Sequence, residues 1–256
     1  MKILFLIRDL GYGGAQRQLV LLANRLARQG HRVTVAAFYA GGALAEDLDS
    51  PGVSCVSMNK RHRWNLFAFF WRASRIARSE KPEVIHGYLP TGNLLALLLR
   101  FACPRARIVW GIRASDMKLN EYPPLERLLY RLERRAAPFA AQMVVNSHAG
   151  YRHAALAGFP IDKMTVIPNG IDTDSFYCDP VEGVQLRREW GLAPEEICIG
   201  MVGRLDPMKG HRDFLEAAAI FIRQRKDCRF LCVGGGSQDY LLQMQELARA
   251  LGISQH

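Results

Sequence analysis

Short apolar runs alternate with stretches of helical spacing along nearly the whole chain, and this alternation leaves few folds open. Residues 3–7 form an unbroken apolar run of strand length. The turn Gly11-Tyr12-Gly13-Gly14 separates them from residues 15–28, where Leu19, Leu22, Ala23 and Leu26 recur at helical intervals before Gly30. The unit then repeats. Strands are predicted at 32–38, 53–56, 84–86, 108–111, 143–145 and 164–167, and helices at 66–78, 91–101, 125–137 and 147–157, the last with Ser147 as N-cap. Runs that are apolar throughout belong to strands buried on both faces. Their alternation with helices therefore predicts a mostly parallel α/β sheet covered on both sides.

Residues 169–180 break the pattern, being rich in turn formers and aspartate without periodicity. Beyond them come a helix at 184–190, a strand at 197–202, a helix at 211–223, a strand at 228–233, the turn Gly234-Gly235-Gly236 and a helix at 240–251. The expected division is a first lobe over 1–170, a linker over 171–190 and the start of a second lobe over 191–256. Two strands do not make a doubly wound sheet, so the second lobe is expected to be incomplete.

The chain carries 34 Lys and Arg against 24 Asp and Glu, a formal charge of +10, which suits polyanionic or phosphorylated partners. Basic and aromatic residues interleave over 60–81, and Arg127, Arg131, Arg134 and Arg135 follow. Such segments fit an anionic membrane surface, or else a helix with a solvated basic edge. No nucleic-acid recognition motif accompanies the charge. The apolar start is too short for a signal peptide and no run reaches membrane-spanning length, so the expected location is cytoplasmic, with peripheral membrane contact open. The six cysteines form no CxxC pair and read as reduced thiols.

Ligands of an open parallel sheet gather at the carboxyl ends of its strands, where helix N-termini offer free N–H groups. The Gly11–Gly14 turn opens like a dinucleotide fingerprint. The third glycine is replaced by Gln16, however, and the second strand ends in Ala37-Phe38-Tyr39 with no acid for a ribose. A nicotinamide-dependent oxidoreductase is therefore the weaker alternative. The turn at 203–210, Gly-Arg-Leu-Asp-Pro-Met-Lys-Gly, carries the strongest signal. Arg204 closes a strand and Lys209-Gly210 are expected to open the next helix, bringing two cations to one helix N-terminus in a form suited to a diphosphate.

These pieces, in this order, resemble the retaining glycosyltransferases of family 4, which have the GT-B fold of two Rossmann-like lobes. The matching segments are Gly13-Gly14-Ala15-Gln16-Arg17, Val84-Ile85-His86-Gly87, Trp110-Gly111-Ile112-Arg113 and Val145-Asn146-Ser147. Val166-Ile167-Pro168-Asn169-Gly170-Ile171-Asp172 with Phe176, and the 203–210 turn, complete them. The resemblance implies transfer of a sugar from a nucleotide-sugar donor to a saccharide or lipid-linked acceptor, as in cell-surface polysaccharide or glycolipid synthesis. It implies an acceptor-binding first lobe and a donor-binding second lobe. Arg204 and Lys209 would be the catalytic cations on the donor diphosphate, joined by the N–H groups of Gly13 and Gly14, with no metal or other cofactor. His86, Arg113 and Asp116 become acceptor or cleft residues, Arg113 standing near the place where many members carry a histidine; His86 reads alternatively as a core-edge histidine, and Arg113 with Asp116 as a structural salt bridge. Asp172-Thr173-Asp174 spells a metal-binding DxD, but the family pattern explains Asp172 without a metal. The family's paired glutamates, spaced E-x7-E, would fall beyond His256. The chain is thus expected to be truncated and to bind donor poorly, or to act as an inactive acceptor- or membrane-binding module.

Overall fold

The computed structural model describes residues 1–60, 66–113 and 123–256. Its contacts divide the chain into two compact units, Met1–Ile171 and Asp172–His256.

The first unit holds seven parallel strands, β1 (Lys2–Ile7), β2 (Arg32–Ala37), β3 (Val53–Ser57), β4 (Val84–Tyr88), β5 (Arg107–Ile112), β6 (Gln142–Val145) and β7 (Met164–Val166), in the order β3-β2-β1-β4-β5-β6-β7. The connecting helices are α1 (Gly14–Arg28), α2 (Leu66–Glu80), α3 (Leu89–Leu98), α4 (Pro124–Ala136) and α5 (His148–Leu156). Strand pleating explains why β1 is apolar without interruption. Leu4 and Leu6 point into a layer shared with Phe69, Ala73, Leu95, Tyr130 and Ala154 of α2 to α5. Ile3, Phe5 and Ile7 point into a second layer, formed with Leu19, Val20 and Ala23 of α1. From β1 the chain moves outward through β2 and β3, then returns to β4 on the other side of β1. That reversal opens a crevice at the carboxyl ends of β1 and β4.

Two glycines set the approach of α3 to this crevice. A β-carbon on Gly92 would lie 2.6 Å from the carbonyl oxygen of Leu6, and one on Gly87 2.5 Å from the carbonyl oxygen of Gly92. Neither obstacle is a flexible side-chain tip. Gly92→Ala is therefore expected to destabilise the protein by about 3 kcal/mol, because the first turn of α3 must lift off the sheet. Urea unfolding of the variant measures the loss, and an unchanged midpoint would count against this packing.

The second unit contains α6 (Pro180–Glu189), β8 (Ile197–Val202), α7 (His211–Gln224), β9 (Cys228–Val233) and α8 (Gln238–Ala250), with β8 and β9 parallel and paired along their length. Ala218, Ala219 and Ile253 form its small buried cluster, and Phe230 meets Phe214 and Phe221 edge to face at 5.7 and 6.1 Å. Two of its helices are capped by side chains. Asp179 accepts from the N–H groups of Val181 and Glu182 at the start of α6, and Ser237 from that of Tyr240 at the start of α8.

Candidate functional site

At the carboxyl edge of the first sheet, Gly13 is the extended N-cap of α1 and no side chain caps the helix. The opening N–H groups of α1 thus face outward with the positive end of its dipole. Asp9 anchors the turn, accepting hydrogen bonds from Gly11 N at 3.1 Å and Gln16 Nε2 at 3.3 Å. One turn into the helix, Gln18 clasps the segment after β7. Its Nε2 donates to the Gly170 carbonyl at 2.6 Å and its Oε1 accepts from Gly170 N at 2.8 Å. The neighbouring Asn169 accepts at Oδ1 from Arg113 Nη1 at 2.9 Å.

Arg113 follows β5 and is held from both sides. Besides Asn169, its Nη2 donates to Tyr88 Oη at 2.9 Å, and its guanidinium lies 4.8 Å from the centre of that ring. Its hydrogen-bond partners among the described residues are neutral oxygens, which orient the cation. Asp116, also expected in the cleft, lies outside the described residues.

Of the two readings open to His86, a cleft-facing strand end or a core residue, the structure shows the second, because β4 continues to Tyr88, which pairs with Gly111. His86 is in mid-strand, 7% exposed, with its ring 5.3 Å from Phe5 and 4.9 Å from Tyr88. Burial, aided by the charge of Arg113, pulls its pKa down to about 3. The imidazole is neutral at physiological pH and packs as a core ring.

The structure adds a buried polar pair that the sequence reading did not single out. Asn93 on α3 uses its whole amide. Oδ1 accepts from Gly111 N at 3.2 Å, and Nδ2 donates to Gly111 O at 3.3 Å and to Glu133 Oε1 at 2.6 Å. Glu133 on α4 is 2% exposed, and burial raises its pKa to about 7 although the Asn93 bond favours the charged form. Beside it opens a pocket of about 30 Å³, lined by Arg113, Tyr130, His153 and Phe159 among others. That is room for about one water. An acid whose folded pKa is raised contributes stability below its unfolded pKa, near 4.5, and loses it as pH climbs through 7. Glutamine retains the oxygen that Asn93 needs. Glu133→Gln is therefore expected to match the wild type at pH 4.5 and to exceed it by roughly 3 kcal/mol at pH 8. Urea unfolding at the two pH values checks this, and equal stability at pH 8 would refute it.

In the second unit, β8 stops at Val202 and α7 begins at His211. Lys209 and the N-cap Gly210 stand immediately ahead of the helix, which starts where the sequence pattern placed it. Lys209 ends a 3₁₀ turn, Pro207–Lys209, and Gly210 follows in the left-handed region at φ 74°. The turn is set by Asp206, whose Oδ1 caps it at Met208 N, 3.0 Å away, ahead of the main helix. Its Oδ2 holds Arg204 Nη2 at 2.9 Å. Both side chains of that pair keep solvent contact, Arg204 being 65% exposed. Across from this turn, Gly203 N donates to Val233 O and Leu205 N to Gly235 O, both at 2.9 Å. A β-carbon on Gly234 would collide with the Gly203 carbonyl, and one on Gly236 with that of Leu205. Gly234 and Gly236 are thus required by the close apposition of two turns, whereas Gly235 faces open space.

The Asp172-Thr173-Asp174 run is a local turn. Asp172 accepts from Asp174 N at 3.1 Å and from the Ser175 hydroxyl at 3.0 Å. Among the described residues, no three His, Cys, Asp or Glu side chains converge as a metal site would require. Cys228 is buried and Cys232 exposed, both as free thiols.

Residues 12–175 match the model of Glycosyltransferase Family 4, and residues 185–256 that of Glycosyl transferases group 1. The chain belongs to glycosyltransferase family 4. This membership displaces the dinucleotide reading of the Gly11–Gly14 turn. Among family relatives, the GDP-mannose-dependent alpha-(1-6)-phosphatidylinositol monomannoside mannosyltransferase of Mycolicibacterium smegmatis is 31% identical over 249 residues. The match takes in 95% of this chain and 62% of that protein, so the chain spans less than two thirds of its relative's length. The D-inositol 3-phosphate glycosyltransferase of Nocardia farcinica is 34% identical over 129 residues, 48% of this chain and 28% of that protein. In structure, Anabaena Alr3699/HepE in complex with UDP and glucose superposes with a TM-score of 0.81 at 22% identity, covering 99% of this chain and 67% of that one. A glycosyltransferase from Rickettsia africae gives 0.70 at 18% identity, covering 98% and 65%. These likenesses show an α/β fold of the GT-B type.

Proposed function

We propose that the protein carrying this chain transfers a sugar, with retention of anomeric configuration, from a nucleoside-diphosphate sugar to a saccharide or lipid-linked acceptor. The observation that carries this reading is the 203–210 turn. It sets Arg204, steered by Asp206, and Lys209 at the carboxyl end of β8 ahead of the N-terminus of α7. Cations there meet the charge that grows on a departing diphosphate as the sugar becomes oxocarbenium-like. In the proposed step the acceptor hydroxyl bonds to the anomeric carbon on the face the donor oxygen is leaving. The bond to that oxygen breaks, its electron pair stays on the diphosphate, and a diphosphate oxygen takes the hydroxyl proton.

The N–H groups of Gly13 and Gly14 at the start of α1 are read as a second anion-binding element. Arg113, already oriented by Tyr88 and Asn169, is read as a contact for donor or acceptor. A nucleotide-sugar donor agrees with the UDP and glucose bound by the Anabaena protein and with the GDP-mannose dependence of the mycobacterial relative. A phosphorylated or lipid-linked acceptor agrees with the names of the two curated relatives.

The test is thermal. UDP, GDP and their sugars are expected to raise the melting temperature of the protein at concentrations above their Kd, as any ligand that binds only the folded state must. If no nucleoside diphosphate or nucleotide sugar shifts it, the reading fails.

A further inference from the structure

Asn93 on α3 and Glu133 on α4 are buried polar side chains, 0% and 2% exposed, on helices whose neighbouring inward residues, Leu95, Ala96 and Tyr130, are apolar. Burying such a pair costs desolvation, and apolar groups of the same shape would serve the fold about as well. The pair makes sense through what it holds. Asn93 Oδ1 accepts from Gly111 N while its Nδ2 donates to Gly111 O, so one amide fixes the peptide groups on both sides of Gly111. Glu133 Oε1 accepts the other amide hydrogen at 2.6 Å and decides which way round the amide stands.

Gly111 precedes Arg113 by two residues, with the buried Ile112 between them. It also stands against Tyr88. A β-carbon on Gly111 would lie 3.2 Å from the Gly87 carbonyl oxygen and 3.5 Å from Tyr88 Cδ2. Tyr88 is the residue whose hydroxyl and ring hold the Arg113 guanidinium. From Tyr88 the chain enters α3 through Leu89 at φ 65°, a left-handed conformation that is costly for a residue with a β-carbon and persists only where the surroundings tie it down. Asn93, four residues on, ties that turn to β5. Two physical routes thus lead from the Asn93 amide to the arginine, one along β5 and one through Tyr88.

Given Arg113 as a contact for donor or acceptor, we infer that Asn93, braced by Glu133, is a positioning residue for it; if that reading of Arg113 falls, so does this role. Asn93 acts without touching substrate. By fixing the end of β5 and the Tyr88 ring, it sets the direction in which the guanidinium meets phosphate or hydroxyl oxygens. A misplacement of about 1 Å at such a contact costs on the order of a hundredfold in rate.

The experiment first reads the arginine itself by NMR of protein carrying isotope-labelled arginine, with no substrate present. The Arg113 side-chain signals, assigned by their loss in Arg113→Lys, are expected to show slow guanidinium rotation in the wild type. Asn93→Ala and Glu133→Met are each expected to free that rotation. Glu133→Gln, which keeps an oxygen for Asn93, is expected to preserve it. Circular dichroism verifies that the variants stay folded, and Glu133→Met serves alone if Asn93→Ala does not. Signals left unchanged by the folded variants overturn the inference, whatever the activity.

Release of nucleoside diphosphate from UDP and GDP sugars then reads the consequence. Asn93→Ala or Glu133→Met is expected to lower kcat/KM by about 10–100-fold, and Glu133→Gln to stay within about threefold of the wild type. In an Arg113→Ala background the same substitutions are expected to cost nothing further, because a residue acting through the arginine has nothing left to position. Losses that multiply instead mark a purely structural role and overturn the inference while leaving Arg113 a substrate contact. Wild-type kinetics in Arg113→Ala defeat both.

Discussion

Lowering the pH from 6.5 to 3 is expected to cost the protein up to about 5 kcal/mol through His86 alone. The imidazole is buried between Phe5 and Tyr88, its Nε2 has no partner among the described residues, and its pKa is about 3 in place of 6.5. The unfolded chain takes up a proton near pH 6.5 and the folded one does not. A group with such a depressed pKa stabilises the fold fully above 6.5, and the contribution drains away as pH falls toward 3. Glu133 acts in the opposite sense between 4.5 and 7. The two slopes therefore nearly cancel from 4.5 to 6.5, and the net loss shows below 4.5. Comparison with His86→Phe isolates the histidine, because the difference between the two proteins should grow steadily from pH 6.5 down. Urea unfolding measured at several pH values gives that difference. Parallel profiles would show that His86 protonates without penalty. The same burial takes His86 out of acid–base work at neutral pH.

Arg204→Ala and Lys209→Ala are each expected to reduce kcat/KM for a nucleotide-sugar donor by about 10²–10³-fold, the usual cost of deleting one preorganised partner of a developing anion. The double variant should lose less than the product of the two, since both cations serve one charge. Arg204→Lys is expected to recover only part of the loss. Asp206 holds one edge of a planar guanidinium, and an ammonium does not present the remaining edge in the same way. Asp206→Asn keeps an oxygen for the Met208 cap but releases the charge pairing, so it should disturb orientation more than folding. Steady-state kinetics at saturating acceptor read these effects, and wild-type turnover in both alanine variants would exclude the proposed clamp.

Most of the architecture was legible because central strands such as β1 are short apolar runs and helices such as α1 and α5 are followed by a glycine at positive φ. The ambiguities lie where one polar residue has two physical solutions. His86 followed two apolar residues and preceded a glycine, a pattern that also reads as a strand leaving the core. Gly87 was instead fixed by the approach of α3, and Tyr88 carried the strand on. Glu133 stands three residues after Tyr130 and four before Ala137, on the inward face of its helix, a spacing that the sequence reading did not use. Its partner Asn93 sits 40 residues earlier, and only the folded sheet brings the two together. The 203–210 turn was recognisable from composition. The start of α7 at His211 was legible too, whereas the short turn capped by Asp206 just ahead of it was not.

The glycines at 234 and 236 bear on more than steric fit. Their turn and the one carrying Arg204 share two backbone hydrogen bonds and leave no room for a β-carbon, so the two segments move as a single body. Much of the disorder that a free eight-residue loop would surrender on meeting a ligand has already been surrendered in folding. An anion arriving there encounters groups that are waiting in place, and more of the contact energy remains as affinity.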